Sequence, residues 1–231
     1  MESLSPPVIF VAARADVSVF VLFGEAGVAV QAVILALVAA FIWTLVAAVS
    51  KYAELARVRQ EADAFERLFW SGPSLDELYA SMNGKQTGSL SAIFMAAMYE
   101  WRRTLGTAPR ALPGVQGRME RLMAVSIARE TDRLERGLSV LAGVGAAAPL
   151  LGLAGALWAL MAGFAAADDF SALAPAAAQG ALAGALGLFA GAVAVIFHRG
   201  LTRAVQRHAQ RMKDFAQEFS AIVSRQIDAS T

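Results

Sequence analysis

The chain has 231 residues, a formal net charge of +1, 57% apolar and 17% charged side chains, and no cysteine. Soluble domains sit nearer about half apolar and about a quarter charged, so the composition argues for a membrane protein. The near-zero charge points to no nucleic-acid partner, and the lack of cysteine excludes disulfides, thiolate metal sites and cysteine nucleophiles.

Residues 1–25 form an N-terminal arm. Its apolar stretch from residue 8 to 24 is broken by Arg14 and Asp16 and reads as an interfacial helix. No basic residue precedes Arg14, so the positive n-region of a cleavable signal peptide is missing and the first span is expected to be retained. Glu25 and Lys51 bracket that span, residues 26–50, which carries no charge and is long enough to cross a bilayer once.

Residues 51–136 hold most of the charge and should be helical. Leu55, Val58, Ala62, Phe65 and Phe69 recur at three- and four-residue steps, so the first span should run on as an amphipathic helix. Ser71-Gly72-Pro73 should end it, and the capping-box spacing of Ser74 and Glu77 should start a short helix. Asn83-Gly84-Lys85 and residues 107–117 read as loops, with a helix over 90–105 between them. Residues 118–137 should form a charged helix leading straight into the second span.

The second span covers residues 137–167 and the third 175–197, joined by a turn at 168–174 that holds Asp168 and Asp169. Past the third span, residues 198–231 continue the helix. Leu201, Val205, His208, Met212, Phe215, Phe219 and Ile222 form one stripe, apolar except for the imidazole. Arg199, Arg203, Arg207 and Arg211 form another. A helix from Pro175 to Ile222 would be roughly 70 Å long, and such stripes need neighbours, within the chain or in copies of it.

The expected fold is therefore an all-α membrane protein with three transmembrane helices and long cytoplasmic helical extensions. Every Lys and Arg except Arg14 falls in residues 51–136 or 199–225. The positive-inside rule puts both regions in the cytoplasm and the N-terminus outside.

Small residues mark the second and third spans. Gly145, Gly152, Gly155 and Gly163, with Ala148, Ala156 and Ala159, mark one; Gly180, Gly184, Gly187 and Gly191 lie on one face of the other. Such positions let helix backbones approach closely. The approach is either within one subunit or between subunits around a central space. Pro149 removes a backbone hydrogen bond inside the second span, which bends the helix or frees a carbonyl toward a pore.

The residues 128–160, ARETDRLERGLSVLAGVGAAAPLLGLAGALWAL, resemble the second-helix signature of the TolQ/ExbB/MotA proton-channel family. APAAAQGALAGALGLFAGAVAVIFHR, residues 174–199, resembles its third helix, and FERLFWSG (65–72) and EWRR (100–103) are similar to the TolQ-like branch. The resemblance implies a bacterial inner-membrane motor subunit, multi-pass, with a periplasmic N-terminus and a cytoplasmic C-terminus. It implies a homopentamer around two copies of a single-span TolR- or ExbD-like partner with a membrane Asp, working with a TolA- or TonB-like protein. Proton passage past that Asp would drive the motion, and in the TolQ-like branch the work supports outer-membrane integrity and division.

The departures fall on the family's polar positions. Ala147 and Ala156 stand where relatives have Thr, Gly184 where they have Thr on the third helix, and Gln179 where they have Glu. With Pro149, these are the candidate pore-lining and partner-facing residues; Gly145, Gly152, Gly155, Gly180, Gly187 and Gly191 are the helix-packing candidates. Gln179 cannot titrate but donates and accepts hydrogen bonds. Protons would then pass through water near Pro149 and Gln179 with the partner's Asp as the titrating group, or the ring would be a non-conducting envelope scaffold. An ExbB-like role, energising TonB-dependent uptake, is the other alternative. Glu25 reads first as the outer boundary of the membrane and Asp168-Asp169 as a solvated turn. Trp43 and Trp158 read as packing or anchoring residues, and the basic tail stripe as a solvated or lipid-facing surface. His198 and His208 lack the companions of a metal site. No metal, cofactor or enzyme motif is called for: the chain shows no phosphate loop and no nucleophile–base pair.

Overall fold

The computed structural model describes residues 19–72, 74–82, 88–105, 114–166 and 173–229. Seven helices account for almost all of them: α1 Val19–Glu25, α2 Val28–Trp70, α3 Leu75–Met82, α4 Ser89–Leu105, α5 Val115–Glu135, α6 Leu138–Ala166 and α7 Leu173–Ala229. No strand occurs among the described residues. Helices α2, α6 and α7 are long and apolar enough to cross a membrane, and a helix suits that role because it satisfies its own backbone hydrogen bonds. The expected N-terminal interfacial helix, the Asn83-Gly84-Lys85 loop and Asp168-Asp169 fall partly or wholly outside the described residues.

The chain divides into two compact units. The apolar unit comprises residues 1–40 and 147–191, the charged unit residues 41–146 and 192–231.

In the apolar unit, α1 is tied to the start of α2. The Gln31 amide donates to the carbonyls of Phe23 (3.0 Å) and Gly24 (3.4 Å). Ala26, Val30 and Ile34 pack with Ala159 and Ala183.

The charged unit folds around the stripes seen in the sequence. Phe65 and Phe69 of α2 meet Phe94 of α4 and Phe215 and Phe219 of α7, with ring centroids 5.2–6.2 Å apart. Met98, Met119, Met123 and Met212 fill the space around them, as flexible unbranched side chains do. A second cluster joins Leu55, Leu134, Leu138, Leu141, Leu201 and Val205. The capping box forms reciprocally: the Glu77 N–H donates to Ser74 Oγ (3.2 Å) and the Ser74 N–H to Glu77 Oε2 (3.1 Å).

Two local expectations are corrected. Residues 115–117 are helical, because Gly114 takes a positive φ of 92° and the fully buried Val115 anchors the first turn of α5. The join between α5 and the second span is not continuous. Gly137 has φ +87°, and the Lys51 ammonium reaches the Leu134 carbonyl (3.3 Å) at the end of α5. That left-handed residue breaks the ladder at little steric cost.

The arginine stripe of α7 also divides. Arg199, Arg203 and Arg207 are exposed. Arg211 instead forks onto Glu66 (2.8 and 2.6 Å) and reaches Asp63 (2.6 Å) within the chain. One turn back, His208 is buried, with Nε2 2.6 Å from Ser89 Oγ and, among the described residues, no hydrogen-bond partner for Nδ1. Burial pushes this imidazole below its ordinary range, and Arg211 and Arg59 push it further, against Asp63 and Glu66.

Candidate functional site

The site lies in the apolar unit, where α6 and α7 meet through backbone. A Cβ on Gly187 would stand 2.6 Å from the Ala148 carbonyl oxygen and 2.7 Å from Gly152 Cα. One on Gly152 would meet Gly187 Cα and the Ala183 carbonyl oxygen, both at 2.8 Å, and one on Gly180 would meet the Ala156 oxygen at 2.9 Å. Gly155 admits Val33 of α2 at 2.9 Å from the same ideal position. These glycines therefore bring the helices of one chain together. Gly191 is also buried. Gly145, in the charged unit, plays the same part toward Val195 (2.8 Å).

Gly184 differs: a Cβ there would find only Ala156 Cβ, at 3.8 Å. It lies at the border of the buried face, beside an exposed run of small side chains that includes Ala177, Ala181 and Ala185.

The candidate pore-lining residues do not share one face of α6. Ala147 and Ala156 are nine residues apart, which at about 3.6 residues per turn sets them on opposite sides. Ala147 is exposed, whereas Ala156 is half-buried against Gly180 and Gly184, and Pro149 is half-buried on that same side. Pro149 sits inside α6 without ending it.

The exposed surface of α6 has two edges. One is bulky: Leu150, Leu153, Leu157, Met161 and Phe164. The other is mostly small: Ala147, Ala154 and Ala165, with Leu151 and Trp158 among them. Proline at 149 and the glycine periodicity drew attention in the sequence; this split becomes visible only once the buried arc is known.

Gln179 is half-buried, 140° around α7 from Gly184 by the same helical geometry (~100° per residue). It lines a cavity of about 300 Å³ together with Trp158 and Glu25. Small residues, among them Gly27, Ala162, Gly163 and Ala176, make most of the remaining wall, with Val30 and Pro175. The sequence marks Glu25 first as a membrane boundary and second as a partner contact. Its one signal there was its position as the last charge before the first span.

The profile of the MotA/TolQ/ExbB proton channel family matches residues 90–214. The chain is 34% identical over 221 residues to the Tol-Pal system protein TolQ of Pseudomonas aeruginosa, covering 92% of this chain and 95% of that protein. It is 30% identical over 219 residues to the Tol-Pal system protein TolQ of Haemophilus influenzae, covering 92% and 96%. Similarity to the biopolymer transport protein ExbB of Pseudomonas putida is lower, 26% over 219 residues, covering 92% and 65%.

Proposed function

The chain belongs to the MotA/TolQ/ExbB proton channel family, and on that premise we propose that it is the TolQ-like subunit of an inner-membrane motor driven by the proton-motive force. In this reading it forms a homopentamer around two copies of a single-span, TolR-like partner whose membrane Asp carries the proton. A TolA-like protein would transmit the work, which supports outer-membrane integrity and division. The end-to-end match to TolQ proteins, at higher identity than to ExbB, is the observation that carries the choice of role.

The distribution of basic residues supports an orientation with residues 51–136 and the tail from 198 in the cytoplasm and the N-terminus and the 168–174 turn outside. The two edges of α6 suit a ring. The bulky edge fits lipid or a neighbouring subunit, while Ala147, Ala154 and Ala165 leave room for a partner helix on the other. Each proton that crosses releases about 2.3 kcal/mol per 100 mV of potential.

A second reading is favoured by one observation: Ala147, Ala156 and Gly184 offer no side-chain hydroxyl to hold water. It makes the ring a scaffold without conduction. The deciding experiment is co-purification with the TolR-like partner, subunit counting by native mass spectrometry, and proton flux into liposomes. Flux above empty vesicles, lost when the partner Asp becomes Asn, is the expected result. A pentamer with partner bound and no flux would establish the scaffold.

A further inference from the structure

Within the charged unit, α5 and α7 leave an open groove between them. Its two adjoining hollows, about 220 and 340 Å³, share Ala124 and Ile127 of α5 and Lys213 of α7. On nearly the opposite side of α5, Leu122, Val125 and Arg129 are exposed at i, i+3 and i+7, the spacing of one helix face. We propose that the Leu122–Val125–Arg129 ridge of one copy seats in the α5–α7 groove of the next copy. The second copy comes from the homopentamer reading, on which this interface rests.

Short side chains make the groove. Ala124 and Ala128 on α5, and Ala209 and Ala216 on α7, stop at Cβ, and the buried Met123 and Ile127 form an apolar floor. One end is held rigid by a network in which Ser220 Oγ (2.8 Å) and the Gln116 amide (3.2 Å) both donate to Glu120 Oε1. The other end carries the exposed carboxylate of Asp132. The groove is therefore apolar along its length and acidic at its ends. The ridge has the complementary chemistry, two aliphatic side chains followed by a guanidinium. Leu122 and Val125, 38% and 47% exposed, are the large apolar side chains that α5 leaves uncovered. Seating them removes apolar surface from water on both copies.

The helix geometry favours a copy of this chain as the occupant. At ~100° per residue, groove and ridge lie roughly 150° apart around α5. Surfaces that face nearly opposite ways cannot both meet their counterparts across one two-fold axis. The contact between them is head-to-tail, the kind that closes into a ring when the rotation allows. Copies that cross one membrane stand parallel, so a ring about the membrane normal brings equal levels together. At ~1.5 Å per residue the ridge is about 10 Å long and the groove roughly 18 Å, and both occupy the same levels of the same helix. The neighbour's Leu122 and Val125 then come level with Ala124 and Ile127. Its Arg129 is only ~4.5 Å of rise from Asp132, within reach of an ion pair.

The chain has no cysteine of its own, which makes thiol cross-linking clean. Two differently tagged full-length copies, one Val125→Cys and the other Lys213→Cys, are co-expressed with the TolR-like partner and treated in membranes with a short bis-maleimide. The expected product is a dimer bearing both tags, with none from either variant alone. A dimer of Val125→Cys with itself overturns the proposal, because it places ridge against ridge. A benzophenone maleimide on Lys213→Cys should capture α5 of a second copy; capture of the TolR-like partner or of lipid instead overturns the choice of occupant. Added to the cross-linking pair, Arg129→Asp or Asp132→Arg should each lower the mixed dimer on the order of fivefold, and the two together should restore it. Restoration separates lost pairing from misfolding, and an unchanged yield in both single variants overturns the ion pair. Native mass spectrometry of the unaltered complex keeps the two readings apart. A single copy refutes the homopentamer, whereas an intact oligomer that gives no mixed dimer refutes this interface.

Discussion

Replacing Gly187 by alanine tests the backbone seam between α6 and α7. The new methyl would lie 2.6 Å from the Ala148 oxygen and 2.7 Å from Gly152 Cα, whereas ordinary carbon contacts are about 3.5–4.0 Å. Both obstacles are backbone, so neither can rotate away, and the helices must part by about 1 Å. Overpacking of this kind costs roughly 1–3 kcal/mol. Gly184→Ala is the matched control, because its methyl meets only Ala156 Cβ at 3.8 Å. Both variants gain the same helix propensity, ~0.8–1.0 kcal/mol, so that gain cancels in the comparison. Gly187→Ala should therefore be less stable than Gly184→Ala by about 1–3 kcal/mol. The assay is reversible unfolding of the dispersed chain in mixed micelles titrated with dodecyl sulfate, followed by helical circular dichroism. Equal midpoints for the two variants would refute the seam.

Three further outcomes follow from the charged unit. Phe69→Ala empties the centre of a five-ring cluster and should cost about 3–5 kcal/mol, read as a lower unfolding midpoint with faster amide exchange in α4. The lowered pKa of His208 means that the unfolded chain binds more protons there, so stability is complete above the ordinary value near ~6.5 and falls as the pH drops through and below it. His208→Gln keeps a hydrogen-bonding group for Ser89 and should flatten that dependence, checked by unfolding between acid and neutral pH. Arg211→Lys keeps the charge but loses the fork onto Glu66. Because the pair is about one-third exposed, the expected cost is only about 0.5–1 kcal/mol, weakening in high salt.

The long helices were legible because two sequence signals do not depend on distant partners. Charge is missing from residues 26–50 and from most of 137–197, and the stripe from Leu201 to Phe219 repeats at helical spacing. That stripe is buried as expected, His208 included. Its imidazole broke the apolar pattern, and the explanation, Ser89, lies 119 residues away, beyond any local signal. Arg211 shows the same limit, since Glu66 and Asp63 belong to α2. At the candidate site, glycine spacing announced close approach but not the partner. The contacts of Gly152, Gly180 and Gly187 answer that within the chain. The five pore candidates are marked only by residue type along the sequence, and which of Ala147 and Ala156 faces outward cannot be seen until one side of α6 is known to be covered.

The offset between those two residues bears on how a proton would cross. The contacts of Gly152 with Gly187 and of Gly180 with Ala156 leave no width for a polar side chain or a water file between α6 and α7 at those levels. In the conducting reading, the route through the apolar unit then follows the exposed small edge of α6. Among the described residues of that edge, only Trp158 bears a polar side-chain group. Its indole N–H donates but has no lone pair to accept, so it orients water without relaying a proton. In that reading the acid–base step comes from the partner's Asp within the membrane. The ring's own contribution is then steric: it fixes where water and the partner helix fit, while the titrating group sits on the partner. Adding a hydroxyl at Ala147 would supply water with a partner on that edge without disturbing the glycine seam, which is why that face, rather than the seam, is where conduction can be tuned.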